Sequence, residues 1–508
     1  MQDSDQAPAQ SLFQVAPEIR ETDRPAAFRV LFIGLFCYFA LQVWLRVHSS
    51  TSVDLDESEQ VVLSQKFCWG YGSDPPLYTW IQMGFFGIFG QSVLGLSLLK
   101  NLLLFGTYVL TYAATRLVTR NPLAALAAPL SLLYLPGVAW ESQRDLTHSV
   151  FAGALSLATL YCLLKLVRES RTAWYWWLGV FAAAGLLAKY NYAVWLLGLI
   201  VAALSVPALR PAILDARIGL SLGTGLLLFL PNGLWMLNHR DLALLTASKF
   251  DVNQSAAWVG VVWLGMKNLF LAVAEFALPL TVIYWLIFRR PLAGPSVPAG
   301  SGRPGLQLII RAWAVILVVL LLLIMLAHST GFKDRWFQPI LTALPVAAAA
   351  LVEKRLSFKR LGWMAGISAT VMLAVAIVFP GRLLVAERLH REEPLTRPYA
   401  QLAAQIRALV PDNALVICDT RLLAGNLRLG LQNALVLPPE LSQLMKTDQQ
   451  HCLLVWDATR EEALPPALQS WRAEFAPQAS GDISPRFFSA THGDATEGRH
   501  RFEPVLER

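Results

Sequence analysis

The sequence predicts an all-α polytopic membrane bundle of about 11 transmembrane helices carrying a small C-terminal α/β domain. Three observations predict it. Of the 508 residues, 55% are hydrophobic and only 15% are charged, with a mean hydropathy of +0.47; a soluble protein carries roughly 25% charged residues. Stretches near the roughly 20 apolar residues needed to cross a hydrocarbon core recur as far as residue 380. After residue 380 the composition reverts to that of a soluble domain. The net charge of +7 reports orientation through its placement rather than an affinity for polyanions, so nucleic acid is excluded as a partner. Five cysteines (Cys37, Cys68, Cys162, Cys418 and Cys452) form no CxxC pair, which argues against a structural zinc site.

Residues 1–28 form a polar N-terminal tail, and no small-residue cleavage site follows the apolar run near Val30, so the first span is expected to be a retained anchor. The membrane domain covers residues 29–380, with spans at 29–48, 99–117, 122–139, 147–167, 173–188, 191–208, 217–237, 269–288, 311–328, 336–352 and 361–380. Basic residues mark alternate connections: Arg20, Arg24 and Arg29; Arg116 and Arg120; Lys165, Arg168 and Arg171; Arg210 and Arg217; Arg289 to Arg311; and Lys354 to Arg360. The positive-inside rule makes that side cytoplasmic. The alternation holds only if residues 75–98, in the first external loop 49–98, lie in the interface instead of crossing. The loop 289–310 is rich in Pro and Gly and reads as a flexible linker. In the external part, residues 381–508, ALVICD (414–419) and CLLVWD (452–457) read as buried strands, with NALVLP between them and RLLAGNLRLGL helical. No GxGxxG or GxxxxGK is present, so no nucleotide is assigned. Cys418 and Cys452 fall on the two strands, and a disulfide and two buried thiols are both open readings.

Polar groups gather in external segments. VDLDESEQ (53–60) concentrates Asp54, Asp56, Glu57 and Glu59 at the bilayer surface, fit for a general base, a cation site or a solvated loop. WGYGSDPPLYTW (69–80) stiffens a turn with Pro75 and Pro76. WESQRDLTHS (140–149) places Glu141, Arg144, Asp145 and His148 within a turn or two. HSTGFKDRWF (328–337) brings Lys333 and Arg335 to the membrane surface, where a lipid phosphate or simple snorkelling would use them. Lys189 stands at the external end of a span, against the basic-inside trend. Glu275 lies inside the eighth span, where an ionisable group is costly and by default a functional candidate. Each cluster alone has a structural reading; their convergence on one face favours function.

These residues resemble the lipid-linked sugar transferases of the GT-C fold, the superfamily of protein O-mannosyltransferases and bacterial aminoarabinose transferases. The likeness runs from about residue 28 to about 380: Asp56-Glu57, the GY…PPL element (Gly70, Tyr71, Pro75, Pro76, Leu77), RDLTHS, AKY with Lys189, and RWFQPILTALP. It implies an inverting transferase that takes a sugar from a polyprenyl-phosphate donor and sets it on an acceptor at the periplasmic face of a bacterial inner membrane. The acceptor it suggests is a glycolipid such as lipopolysaccharide core or lipid A, and the sugar galacturonic acid, aminoarabinose or another. Asp56, with Glu57 beside it, would deprotonate the acceptor hydroxyl. Arg335, Lys333, Arg144 and Lys189 would stabilise the departing phosphate. Tyr71, Asp145, His148 and Glu275 would line the pocket. Asp74 stands where the aminoarabinose transferases carry a phosphate-binding lysine, so another cation replaces it or the donor sits differently. A divalent cation is not required by the spacing, although Asp54-Leu55-Asp56 resembles the DxD of metal-using transferases. The competing readings are a lipid or sugar transporter (a flippase), an acyltransferase using His148 as base, and a non-catalytic assembly protein.

Overall fold

The structure, a computed structural model, describes residues 24–72, 74–242, 258–289, 303–389, 391, 393–408, 410–442, 445, 452–457, 463–475, 486–489 and 499–505. The N-terminal tail through residue 23 and most of the 289–310 linker lie outside them.

The bundle is made of α1 (Arg24–Ser49), α2 (Leu55–Leu63), α3 (Leu77–Phe89), α4 (Val93–Val118), α5 (Pro122–Leu132), α6 (His148–Glu169), α7 (Thr172–Ala188), α8 (Tyr192–Ser205), α9 (Ile218–Asn238), α10 (Trp258–Phe288), α11 (Pro304–Ala327), α12 (Gln338–Leu351) and α13 (Phe358–Arg388). Length and apolarity mark seven of these as membrane-crossing: α1, α4, α6, α9, α10, α11 and α13. The expected span 122–139 is broken: α5 is followed by a π-helical turn at Gly137–Glu141, and the pair bends by 63°. Expected spans 173–188, 191–208 and 336–352 are the shorter helices α7, α8 and α12. The expected total of eleven therefore rests on helices that length alone does not mark as spans.

Other boundaries moved outward for identifiable reasons. The fourth helix starts at Val93, because Ser92 caps it by accepting the Gly95 amide; only residues 77–89 of the expected interfacial stretch form a separate helix. The last long helix passes through Pro380 to Arg388 instead of ending at 380, since a proline costs one backbone hydrogen bond without stopping a helix packed against neighbours.

Packing orders the helices from centre to periphery. In α6, 83% of the apolar window is buried, against 11% in α9, so α6 is the axis of the bundle. Outward-facing Leu226, Trp263, Leu326 and Ile377 are exposed, as an apolar solvent allows. The two ends differ in charge. At one end Glu353 accepts the backbone amides of Arg120 and Asn121 and pairs with Arg303 at 3.2 Å, while Arg217 bonds the Ser170 carbonyl and Arg311 the Ser205 carbonyl. All the acidic and mixed motifs collect at the other, the loop end.

On that loop end sits a five-stranded sheet in the order β2-β1-β3-β5-β4, formed by β1 (Leu415–Cys418), β2 (Leu435–Leu437), β3 (Cys452–Asp457), β4 (Arg486–Ser489) and β5 (Arg499–Val505). The first three strands are parallel, as their continuous apolar runs suit; β5 pairs antiparallel with β3 and β4. Cys418 faces Val455 in register and Cys452 faces Leu415, and both thiols are free. Three residues of offset, roughly 10 Å along a strand, forbid the disulfide.

Candidate active site

Helix α2 carries the acidic pair. Asp54 caps it, its side chain accepting the Leu55 amide, and Glu57 completes a capping box at the third helical position. The helical step of about 100° then separates Asp56 from Glu57. Glu57 turns into the bundle, 1% exposed, with Oε2 2.6 Å from Arg46 Nη2 and Oε1 3.0 Å from Lys100 Nζ. Burial alone would raise its pKa; the two cations overcome that and hold it at about 2. Glu57 is thus held ionised between two cations, whereas Asp56 is not enclosed in this way. The structural task of Glu57 is to anchor α2 on α1 and α4.

Asp56 faces outward, its side chain one-fifth exposed, with Oδ1 3.8 Å from Arg335 Nη1. Its backbone amide donates to Asp145 Oδ1 at 2.9 Å. Burial raises the Asp56 pKa; Arg335 is the largest opposing charge, Lys189 assists it, and Asp74 pushes the other way. Asp145 is driven up to about 8 by burial and then by the charge of Asp56. Asp56 keeps a partly exposed carboxylate beside Arg335.

The cations arrive from separate elements. Lys189 ends α7, where its ammonium donates to the Ser149 hydroxyl and to the Arg335 carbonyl at 3.3 Å. The carbonyl of Trp336 accepts from Asn191 at 2.9 Å. These bonds fix the 3-10 turn Asp334–Trp336 against α7 and α8, so that Arg335 points at Asp56. Lys333 precedes this turn and is exposed. Arg144 lies on the rim, 3.2 Å from Glu141, and Glu275 is an exposed group of α10 whose charge acts on Glu141; Glu275 is thus not sealed inside the bundle.

Two expected pocket residues have other duties. Tyr71 is 2% exposed, donates to the Lys66 carbonyl at 2.8 Å and accepts the Cys68 amide, which staples the loop beneath the C-terminal domain. His148 is buried between Gln60, 2.9 Å from Nε2, and the Ala188 carbonyl, 3.1 Å from Nδ1. A carbonyl only accepts, so Nδ1 carries the proton and Nε2 accepts from the Gln60 amide; the Gln60 oxygen in turn takes the Thr79 hydroxyl at 2.9 Å. Both ring nitrogens are thus engaged within the protein, His148 linking α2 to the end of α7.

Sequence reading missed Arg46 and Lys100 as partners of Glu57, and Arg382, which lies 3.3 Å from Glu393 and over the Trp140 ring at 5.7 Å. A signal existed: Lys100 and Arg382 are cations at the loop ends of apolar helices, as Lys189 is. Among the described residues no group of three or more His, Cys, Asp or Glu is arranged to hold a metal.

Residues 73–235 match the family described as dolichyl-phosphate-mannose-protein mannosyltransferase. The lipopolysaccharide core galacturonosyltransferase RgtB of Rhizobium johnstonii is 35% identical over 486 residues, 93% of this chain and 96% of that protein. RgtA of the same organism, also a lipopolysaccharide core galacturonosyltransferase, is 28% identical over 464 residues, 90% of this chain and 89% of its own. The crystal structure of ArnT from Cupriavidus metallidurans bound to undecaprenyl phosphate shares the fold, with a TM-score of 0.57 at 15% identity across 94% of this chain and 98% of that one. Identity to RgtB along almost the entire length decides the matter: the chain belongs to the RgtB family of GT-C fold membrane glycosyltransferases.

Proposed function

We propose that this enzyme moves a galacturonic acid residue from a polyprenyl-phosphate carrier to a hydroxyl of the lipopolysaccharide core, with inversion, at the periplasmic face of the inner membrane. The observation that carries the reading is the meeting of Asp56 with Arg335, backed by Lys189, at the end of the bundle opposite its basic connections. The acceptor oxygen attacks the anomeric carbon as the bond from that carbon to the phosphate oxygen breaks. Asp56 takes the hydroxyl proton, without which an alcohol is a poor nucleophile. The leaving phosphate keeps the bonding electron pair and needs no acid; Arg335, with Lys189, Lys333 and Arg144 around the same mouth, supplies positive charge where negative charge develops. The likeness to RgtB and RgtA, both lipopolysaccharide core galacturonosyltransferases, supports galacturonate and the core as substrates, and the undecaprenyl phosphate bound by ArnT supports the class of carrier.

The test is mass spectrometry of envelope glycolipids from cells with the wild-type chain, without it, and with Asp56→Asn. Loss of one hexuronic acid from the core in the second and third samples is expected, with the variant inserted in the membrane at normal abundance. Unchanged core in the deletion would reject the substrate assignment, and turnover by Asp56→Asn would remove Asp56 as base.

A further inference from the structure

A second opening lies away from the Asp56–Arg335 contact. It is a cavity of 350 Å³ between the first loop and the C-terminal sheet, lined by Asp54, Arg397, Tyr399, Asp419, Thr420 and Asp457 together with leucines and a proline. That volume falls in the range of about 300–1,000 Å³ typical of small-molecule sites.

Its position in the fold is informative. The chain leaves β1 to form β2 on one side, and after β3 continues to β4 and β5 on the other, with β1 and β3 adjacent. Connections that diverge from neighbouring parallel strands open a crevice at their carboxyl ends, where open α/β sheets bind ligands. Asp419 and Thr420 follow β1, and Asp457 ends β3. The crevice is braced: the Asp457 amide donates to Asp419 Oδ2 at 3.2 Å, and Arg397 Nη1 lies 3.0 Å from Asp457 Oδ2. Opposite stands Asp54, the cap of α2, two residues before Asp56.

We infer that this crevice binds the saccharide part of the acceptor and delivers its hydroxyl to Asp56; the inference rests on the transferase reading given above. The carboxylates of Asp54, Asp419 and Asp457 can accept hydrogen bonds from sugar hydroxyls, while Arg397 can donate to sugar oxygens and Tyr399 with the leucines offers apolar surface. In this reading the donor is held by the cations near Arg335, and the acceptor reaches Asp56 from the side of Asp54, two residues before it.

Asp419→Asn keeps an oxygen for the Asp457 amide, and Leu422→Trp fills the cavity from its partly exposed edge. With core oligosaccharide released by mild acid as acceptor and polyprenyl-phosphate galacturonate as donor, both variants should raise the acceptor KM about tenfold or more and leave the donor KM within about twofold. Equal acceptor KM in both, with the wild type turning over, overturns the inference and leaves the transferase reading intact. No transfer by the wild type would instead count against that reading. A binding measurement keeps the two apart: the full-length wild type in detergent should bind the released oligosaccharide, and Leu422→Trp should not. Displacement of the oligosaccharide by polyprenyl phosphate, or its failure to bind a wild type that does transfer, rejects the assignment.

Discussion

Asp56 and Glu57 are chemically similar neighbours with opposite fates, because one step along a helix sends one to the mouth and the other between Arg46 and Lys100. The base must be ionised to work, so kcat/KM should rise with pH through the Asp56 pKa. Arg335 lowers that pKa and Asp74 raises it. Asp74→Asn is therefore expected to move the acid limb of the kcat/KM profile to lower pH. Arg335→Ala should move it to higher pH and also cut kcat by about 10²–10³, as loss of a transition-state charge partner does. A profile unmoved in both variants would show that Asp56 is not the titrating base. The sequence exposed the acidic pair and the basic turn, but not their division of labour. That division depends on which face of α2 meets α1 and α4, and no local pattern in an eight-residue loop records it.

At the scale of elements, the short helix α2 is held on three sides. Glu57 ties it to α1 and α4. On the third side, the helix Arg421–Gly430 of the C-terminal domain crosses it so closely that a Cβ on Gly425 would sit 2.5 Å from the Ser58 backbone. Beside that crossing, Asn426 accepts the Val53 amide at 2.8 Å and donates to the Val53 carbonyl at 2.9 Å. Glu57→Gln would leave two buried cations without their counter-charge, a loss of about 3–5 kcal/mol. It should lower the thermal unfolding temperature, whereas Asp56→Asn should not; equal unfolding temperatures would contradict the anchoring role. Because the Glu57 pKa is depressed from its ordinary 4.5 to about 2, its stabilisation is complete above pH 4.5 and fades as pH falls toward 2. The capping box of Asp54 and Glu57 emerged only with the fold, whereas β1, β3 and the intervening helix were legible as apolar runs and periodicity. The break after α5 and the segmented α12 were not, since apolar composition is the same for a straight helix and a bent one.

For the whole molecule, the arrangement of charge predicts orientation: the end carrying Arg217, Arg303 and Arg311 belongs in the cytoplasm and the sheet outside. A periplasm-dependent reporter such as alkaline phosphatase fused after residue 508 should be active, and a cytoplasm-dependent reporter there inactive; the reverse result would invert the topology and displace the proposed acceptor. By itself, the sequence determined the class of the molecule, an apolar helical bundle with a small sheet region near its C-terminus. Hydropathy over about 20 residues marks the long apolar helices, and apolar strand runs mark the sheet. Tertiary structure alone decided which of the many charged groups at the loop end meet one another. Asp56 and Arg335 stand 279 positions apart, and Asp54 and Asp457 line one cavity from opposite ends of the chain. Such encounters follow from helices packing and from a sheet docking on α2, and the energy that selects them is spread over contacts between residues too far apart for any periodicity to register.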